Sequence, residues 1–464
     1  MAVDTVSGST TRKDRTFLGH PVGLAYLSFA EAWERFSYYG MQALLVLYMT
    51  QQLLLPGHVE NVAGFAPFRA AIEHIYGPLS PEALASAIFG LYAGGVYLTP
   101  LAGGLIADRL LGRTATVTIG AGLMALGHFL MAFEGSFLAA LACLLIGVGC
   151  FKGNIASQVG ELYAPGDLRR ADAFQIYMLG IQIAVIVSPL VCGTLGQKVA
   201  WHWGFGAAGV GMVFGLIIYL AGRRYLPRET IRPRAARAPR EKLLAHEIKA
   251  VAVLILVIPI LAATALGNQE MFNAYMVWGD AHFDLEFFGE KQPVTWLISL
   301  DAILSTITMV ASVAFWRWWA TLRREPDEVY KIGIGALIGA LGPLALALAA
   351  MKETATGTKI GLGWAVAFHI FNDLGFANVF PVGLALFSRA SPRAIAGLMI
   401  GVYYLHLFLS NMVVGWLGGL LETMSAMSFW LLHAALVGGA GGLMLLFGVA
   451  FGRLLAPQSE EERG

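Results

Sequence analysis

The sequence predicts an all-α integral membrane protein with twelve transmembrane helices arranged as two six-helix bundles. Three observations carry that expectation. Of 464 residues, 57% are hydrophobic and 13% charged, against about 25% charged in a soluble domain. Apolar runs recur along the whole chain, and each crossing takes about 20 residues. Lys and Arg also fall unevenly between alternate connections. The net charge of +1 gives no global attraction for nucleic acid. Cys143, Cys150 and Cys192 sit inside apolar runs, so neither a disulfide nor a metal framework is expected. No short apolar core with a small-residue cleavage site precedes the first run, which argues against a cleaved signal peptide.

In chain order the spans are expected near 23–54, 82–107, 114–134, 137–162, 171–194, 203–222, 250–279, 293–319, 331–350, 360–388, 394–420 and 428–452. Pro259 and Pro381 mark kink points. With the N-terminus cytoplasmic, 24 Lys and Arg fall on the cytoplasmic side and five on the other. The positive-inside rule then places both termini in the cytoplasm, and a multi-pass protein of the inner membrane is expected. The one long basic connection, 223–249, separates a six-span half (1–222) from a second six-span half with a short tail (250–464). That layout is the major facilitator architecture, with substrate bound between the halves near the midplane. After span two, Gly103-Gly104-Leu105-Ile106-Ala107-Asp108-Arg109 and Leu111-Gly112-Arg113 resemble the G-x-x-x-D-R-x-G-R loop of major facilitators. This implies close helix approach at glycine and a gating latch through Asp108 and Arg109.

Seven ionisable residues lie inside predicted spans: Glu31, Glu34, Arg35, Lys152, Glu270, Asp301 and Asp373. Each costs about 2.5–3.5 kcal/mol when unpaired and facing lipid, so they must face one another or a wet cavity. At about 100° per residue, Glu31, Glu34, Arg35, Tyr38 and Gln42 share one face of span one. Two carboxylates beside a guanidinium exchange a proton for an ion pair, releasing Arg35 to hold a substrate carboxylate. Lys152, from span four, is expected to pair with Glu31 or Glu34. Loss of that partner by protonation leaves a buried cation in need of an anion. His369 and Asp373, four apart, share a helix face and are suited to relaying a proton. His128, His406 and His433 read as packed histidines with satisfied rings.

The stretch Glu31-Ala32-Trp33-Glu34-Arg35-Phe36-Ser37-Tyr38-Tyr39-Gly40 resembles the E-x-x-E-R-F-x-Y-Y-G motif of the proton-dependent oligopeptide transporter (POT) family. The resemblance extends to Lys152-Gly153-Asn154, Val159-Gly160-Glu161-Leu162-Tyr163, Tyr177-Met178-Leu179-Gly180-Ile181 and Gly397-Leu398-Met399-Ile400-Gly401-Val402. It implies that Glu31, Glu34, Arg35 and Lys152 couple proton entry to peptide binding, and that Tyr38, Tyr39 and Tyr92 line the pocket. No cofactor is implied, the proton being the coupling ion.

The departures from the family pattern are specific. The usual outer gate, an arginine of span one with a glutamate of span seven, is replaced by Gln42 and Gln269, a pair that protonation cannot break; Glu270 stands next door. Gln182 replaces the asparagine of span five, and Asp301 replaces an asparagine of span eight. Where span ten usually presents a glutamate to the peptide amino group, this chain has Phe376, with Asp373 one turn earlier. Asp301, His369 and Asp373 are therefore expected to receive a substrate ammonium, with Asn273 and Tyr403 completing the pocket.

The expected function is proton-coupled import of di- and tripeptides by alternating access. The partners are short peptides, protons and membrane lipid, and the expected state is a monomer. A same-family transporter of another amine- or peptide-like substrate is the alternative, and a non-transporting receptor is a more distant one. With neither a nucleophile motif nor H-E-x-x-H in the sequence, an enzyme is not expected.

Overall fold

The structure, a computed structural model, describes residues 16–164, 167–227, 243–287 and 289–455. Much of the predicted basic linker at 223–249 therefore lies outside the described residues, as do most of the predicted N-terminal and C-terminal tails. The described chain is almost entirely helical. Its only strands form two small hairpins, Thr16–Phe17 with His20–Pro21 and Glu286–Phe287 with Glu290–Lys291.

The first six crossings are α1 (Gly23–Tyr48), α3 (Pro81–Ile106), α4 (Arg113–Leu130), α5 (Phe137–Glu161), α6 (Arg169–Ser188, with a helical path continuing to Val199) and α7 (Trp201–Gly222). Between the first two lies α2 (Phe65–Tyr76), a helix the sequence reading passed over as a connection. It buries Phe65 and Ile72, and Arg69 and Glu73, one turn apart, are 2.9 Å from each other.

The seventh crossing is broken into α8 (Ala245–Leu256), α9 (Ile258–Thr264), α10 (Leu266–Glu270) and α11 (Ala274–His282). Its first break stands beside Pro259, as expected, because a proline has no N–H for the preceding turn. By contrast, Pro381 lies within the uninterrupted α15 (Gly363–Ala390). The ninth crossing also breaks, at Ala340, into α13 (Glu328–Gly339) and α14 (Leu341–Thr356); Pro343 cannot donate to the carbonyl of Gly339. The remaining crossings are α12 (Trp296–Leu322), α16 (Ala396–Leu417) and α17 (Ala426–Leu455).

Among the described residues, ten helical stretches are long and apolar enough to cross a membrane. The charged α1 and the 18-residue α4 complete twelve. The first six crossings pack among themselves: α1 against α6 and α7, α5 against α3 and α4. The later ones do likewise, with α15 against α12, α13 and α14, and α17 against α13 and α14. Glycines permit the closest approaches. A Cβ on Gly103 would collide with the Gly149 carbonyl, and one on Gly375 would lie 2.5 Å from the Gly339 Cα.

Across the two groups, α3 runs along α16 and α6 along α12. Polar links between the groups gather at one end. Gln51 donates to Asp280 at 3.1 Å, Trp296 to Thr194 at 2.9 Å, Thr295 to Gln197 at 2.9 Å, and Lys198 lies 2.9 Å from Glu290. At the opposite end Leu101 reaches Gly401, but α5 and α15 make no extended contact with the other group.

Candidate functional site

The site begins on α1, whose helical repeat places Glu31, Glu34 and Arg35 side by side in the interior. All three are at most 4% exposed. Arg35 Nε is 2.9 Å from Glu31 and 2.7 Å from Glu34. Arg35 Nη2 is buried and has no hydrogen-bond partner. Tyr177 of α6 faces Glu31, and the Tyr38 ring lies 5.6 Å from the guanidinium carbon. The Nε hydrogen bond goes to Glu31, Glu34 pairs with the same nitrogen by charge with neither of its oxygens hydrogen-bonded, and a second nitrogen is unused.

Lys152 does not form the ion pair the sequence suggested. Its ammonium sits 5.1 Å from the centre of the Tyr97 ring, within electrostatic reach of Glu34 and Glu31 but bridged to neither. A cation over an aromatic face gains from the ring's electron density while remaining free to recruit an anion. Tyr97 in turn stacks on Tyr404 of α16 at 6.5 Å and 12°, so Lys152 rests on a ring that touches the other group of helices.

Opposite α1, the second constellation brings together three residues singled out from sequence. His369 Nδ1 is 2.9 Å from Asp301 Oδ1, and His369 Nε2 is 3.0 Å from the Tyr275 hydroxyl. Asp373, one turn along α15, completes a set whose polar atoms lie within 4.8 Å of one another. The histidine's closest acid is thus Asp301 on a different helix, not the i+4 neighbour. Asn372 donates to Asp373 Oδ1 at 3.3 Å, and Asp301 lies within hydrogen-bonding reach of the same carboxyl group. Tyr39 stands between the constellations, with Arg35, Glu34, Glu31 and Asp301 as electrostatic neighbours. It also contacts Phe272 at 6.2 Å.

Other expected site residues are placed differently. No hydrogen bond joins Gln42 to Gln269: Gln42 Oε1 is buried unpartnered, while Gln269 bonds to Asn268 and Asn411. Glu270 is turned into the second group of helices, where its Oε2 lies 3.2 Å from His433 and its Oε1 caps the Ala274 N–H. His433 is therefore an acid's partner rather than a ring satisfied only by packing. His406 meets the Tyr403 carbonyl, and neither ring nitrogen of His128 has a partner.

Asn273 is fully buried and donates to Ser86, Glu270 and Val414, tying the break in the seventh crossing to α3 and α16. Tyr403 is also fully buried, its hydroxyl donating to the Phe380 carbonyl at 2.6 Å. It joins two helices instead of lining a pocket. Gln182 donates to Thr306 at 2.8 Å, linking α6 to α12. Tyr92 is buried with an unpartnered hydroxyl. At the loop after α3, Arg113 bridges Asp108 and Glu161, whereas Arg109 is exposed. Arg113 rather than Arg109 makes the ion pairs here, because the turn at Gly112 carries the start of α4 back toward α5.

The sequence reading missed Tyr97, Tyr275 and Tyr177 as site residues. Tyr177 lay within a quoted motif, and Tyr97 follows Tyr92 by five positions, but nothing local marked Tyr275.

Comparison with known proteins places this geometry. The family model described as the POT family matches residues 114–245. The peptide transporter YePEPT of Yersinia enterocolitica is 29% identical over 89% of this chain and 90% of its own length. A di-/tripeptide transporter of Lactococcus lactis is 29% identical over 85% of this chain and 88% of its own. Among solved structures, a mutant of the peptide transporter POT in complex with alafosfalin superposes with TM-score 0.81 at 25% identity, covering 96% of this chain and 98% of that one. A POT family transporter in complex with 5-aminolevulinic acid superposes with TM-score 0.76 at 21% identity, covering 94% and 98%. These neighbours are transporters, and this chain is similar to them in sequence over most of its length and in its helical fold.

Proposed function

We infer that the protein is a proton-coupled symporter that imports di- and tripeptides by alternating access, and that Arg35 is its carboxylate anchor. The observation that carries this reading is the buried, unpartnered Nη2 of Arg35 beside an Nε already serving Glu31 and Glu34. Protonation of either glutamate weakens its hold on Arg35 and frees the guanidinium for a peptide carboxylate. Lys152, seated on the Tyr97 ring and not ion-paired with Glu31 or Glu34, provides a second cation for the same group.

In the proposed cycle a proton enters at Glu31 or Glu34 while the site faces outward. The peptide carboxylate meets Arg35 or Lys152, its amino group meets Asp373 or Asp301, and Tyr38, Tyr39 and Tyr92 flank its side chains. Halves 1–222 and 250–464, joined by 223–249, then rock about the site. The proton and peptide leave to the cytoplasm, where both termini lie under the positive-inside rule. On this orientation the linked end, with Gln51, Lys198, Asp280 and Glu290, faces outward, and the conformation described is inward-facing. The working unit is a monomer in the inner membrane.

A second reading, transport of another small molecule with an amine and a carboxylate, draws on the acid pair Asp301 and Asp373, which offers a cation more charge than one glutamate would. Calorimetry on the purified protein separates the possibilities. Dialanine is expected to bind, and dialanine amide, lacking the carboxylate, at least tenfold more weakly. Equal binding of the two would remove Arg35 as the anchor, and failure of both to bind would favour the second reading.

A further inference from the structure

We propose that Asp301, His369 and Asp373 form a binding site for a divalent transition-metal ion of the zinc class, distinct from the Glu31–Arg35 network. The three side chains come from two helices, α12 and α15, and their ligand atoms lie within 4.8 Å of one another. All three are buried, His369 completely.

A metal-bound imidazole needs its other ring nitrogen fixed by an outer partner, which sets the tautomer and the ring plane. Here the Tyr275 hydroxyl stands 3.0 Å from His369 Nε2, leaving Nδ1 directed at Asp301. Tyr275 is itself immobilised, stacked on Phe368 with centroids 4.7 Å apart and planes at 22°. The outer shell of a metal site is therefore already built.

Charge points the same way. Neither carboxylate has an ion pair with Lys or Arg among the described residues; Asp301 pairs with His369, and Asp373, only 3% exposed, is a hydrogen-bonding neighbour of Asp301. Two adjoining buried acids cannot both ionise cheaply, and one divalent ion that displaces their protons cancels both charges. A set of one imidazole and two carboxylates suits zinc, cobalt or manganese; magnesium prefers oxygen ligands and keeps its waters. Zinc requires ligand distances of about 2.0–2.2 Å, so the trio must close slightly around it. Three protein ligands leave a fourth position open. Asp301, whose side chain is 11% exposed, is the ligand nearest to accessible surface. The consequence for transport rests on the reading above: an ion here occupies the place of the substrate amino group.

The test is calorimetry with zinc alone, and separately with magnesium alone, on the detergent-purified full chain without peptide. Wild type is expected to bind one zinc ion at micromolar concentration and no magnesium, with zinc raising the thermal unfolding midpoint. Asp373→Asn and His369→Gln are each expected to weaken zinc binding at least tenfold and to abolish the thermal shift. Tyr275→Phe, which removes only the outer partner, is expected to weaken it about tenfold. If His369→Gln does not fold, the near-isosteric Asp373→Asn carries the comparison. Absence of zinc binding, equal affinity for magnesium, or binding undiminished in Asp373→Asn would overturn the proposal. Undiminished binding would relocate the ion to the surface pairs His58–Glu134 or His282–Glu353. Because no peptide is present, these outcomes stand apart from success or failure of the transport reading.

Discussion

Arg35 Nε serves Glu31 and Glu34 at once, at 2.9 and 2.7 Å, in a pocket where Glu34 has no exposed surface. A buried guanidinium held by two acids is stable only while at least one of them is ionised. On the proposed function, protonation of one glutamate would shift this network to a second arrangement.

Removing the protonatable group fixes the arrangement. Glu34→Gln is expected to reduce gradient-driven uptake in proteoliposomes at least tenfold while leaving counterflow of labelled for unlabelled peptide measurable. Driven uptake at the wild-type rate would remove Glu34 from coupling.

The perch of Lys152 on Tyr97 yields a graded prediction. Lys152→Ala is expected to abolish driven uptake. Tyr97→Phe, which keeps the aromatic face, is expected to stay within about threefold of wild type, since the face and not the hydroxyl supplies the attraction. Tyr97→Leu should fall between them. A Tyr97→Phe as inactive as Lys152→Ala would show that the hydroxyl matters and the cation–ring contact does not.

Asp373 is expected to meet the substrate ammonium. Asp373→Asn should weaken binding of dialanine about tenfold or more and leave N-acetyl-dialanine within about twofold, as read by competition against a labelled peptide. Equal losses for the two ligands would exclude Asp373 as the amino-group partner.

At the linked end, the Lys198 ammonium, hydrogen-bonded to Glu290, holds its carboxyl below the ordinary value of 4.5. A depressed carboxylate supports the folded contact above its ordinary range and loses it only as pH falls through the lowered value. This bridge is therefore intact between about pH 5 and 8 and does not sense the proton that drives transport. Glu290→Gln is expected to shift the spin-label distance between the two groups of helices toward opening by at most a few-fold in population, equally at pH 5.5 and 7.5. A shift confined to one of those pH values would assign the bridge a sensing role.

Much of this was legible in the sequence because membrane burial is written locally. The twelve apolar runs and the clustering of Glu31, Glu34 and Arg35 follow from composition and helical period. What depended on partners far apart in the chain was harder to read. Glu270 meets His433 across 163 positions, and no spacing rule announces such a pair. The suggested Gln42–Gln269 pair does not form: Asn411 of α16 claims the Gln269 amide oxygen, and the seventh crossing breaks a few residues later. Charge alone points Lys152 to an acid, whereas Tyr97 offers it a face that charge counting does not register. The helix Phe65–Tyr76 is hard to read because, although eight of its twelve residues are apolar, it is too short to cross a bilayer and falls between two longer apolar runs.

The central claim is that proton entry drives peptide accumulation. Uptake of labelled dialanine into proteoliposomes with an inwardly directed proton gradient, repeated with an ionophore that collapses it, tests this most directly. The account predicts accumulation above the external concentration that disappears with the ionophore. Accumulation unaffected by the ionophore, or none in protein shown to be folded, would contradict it.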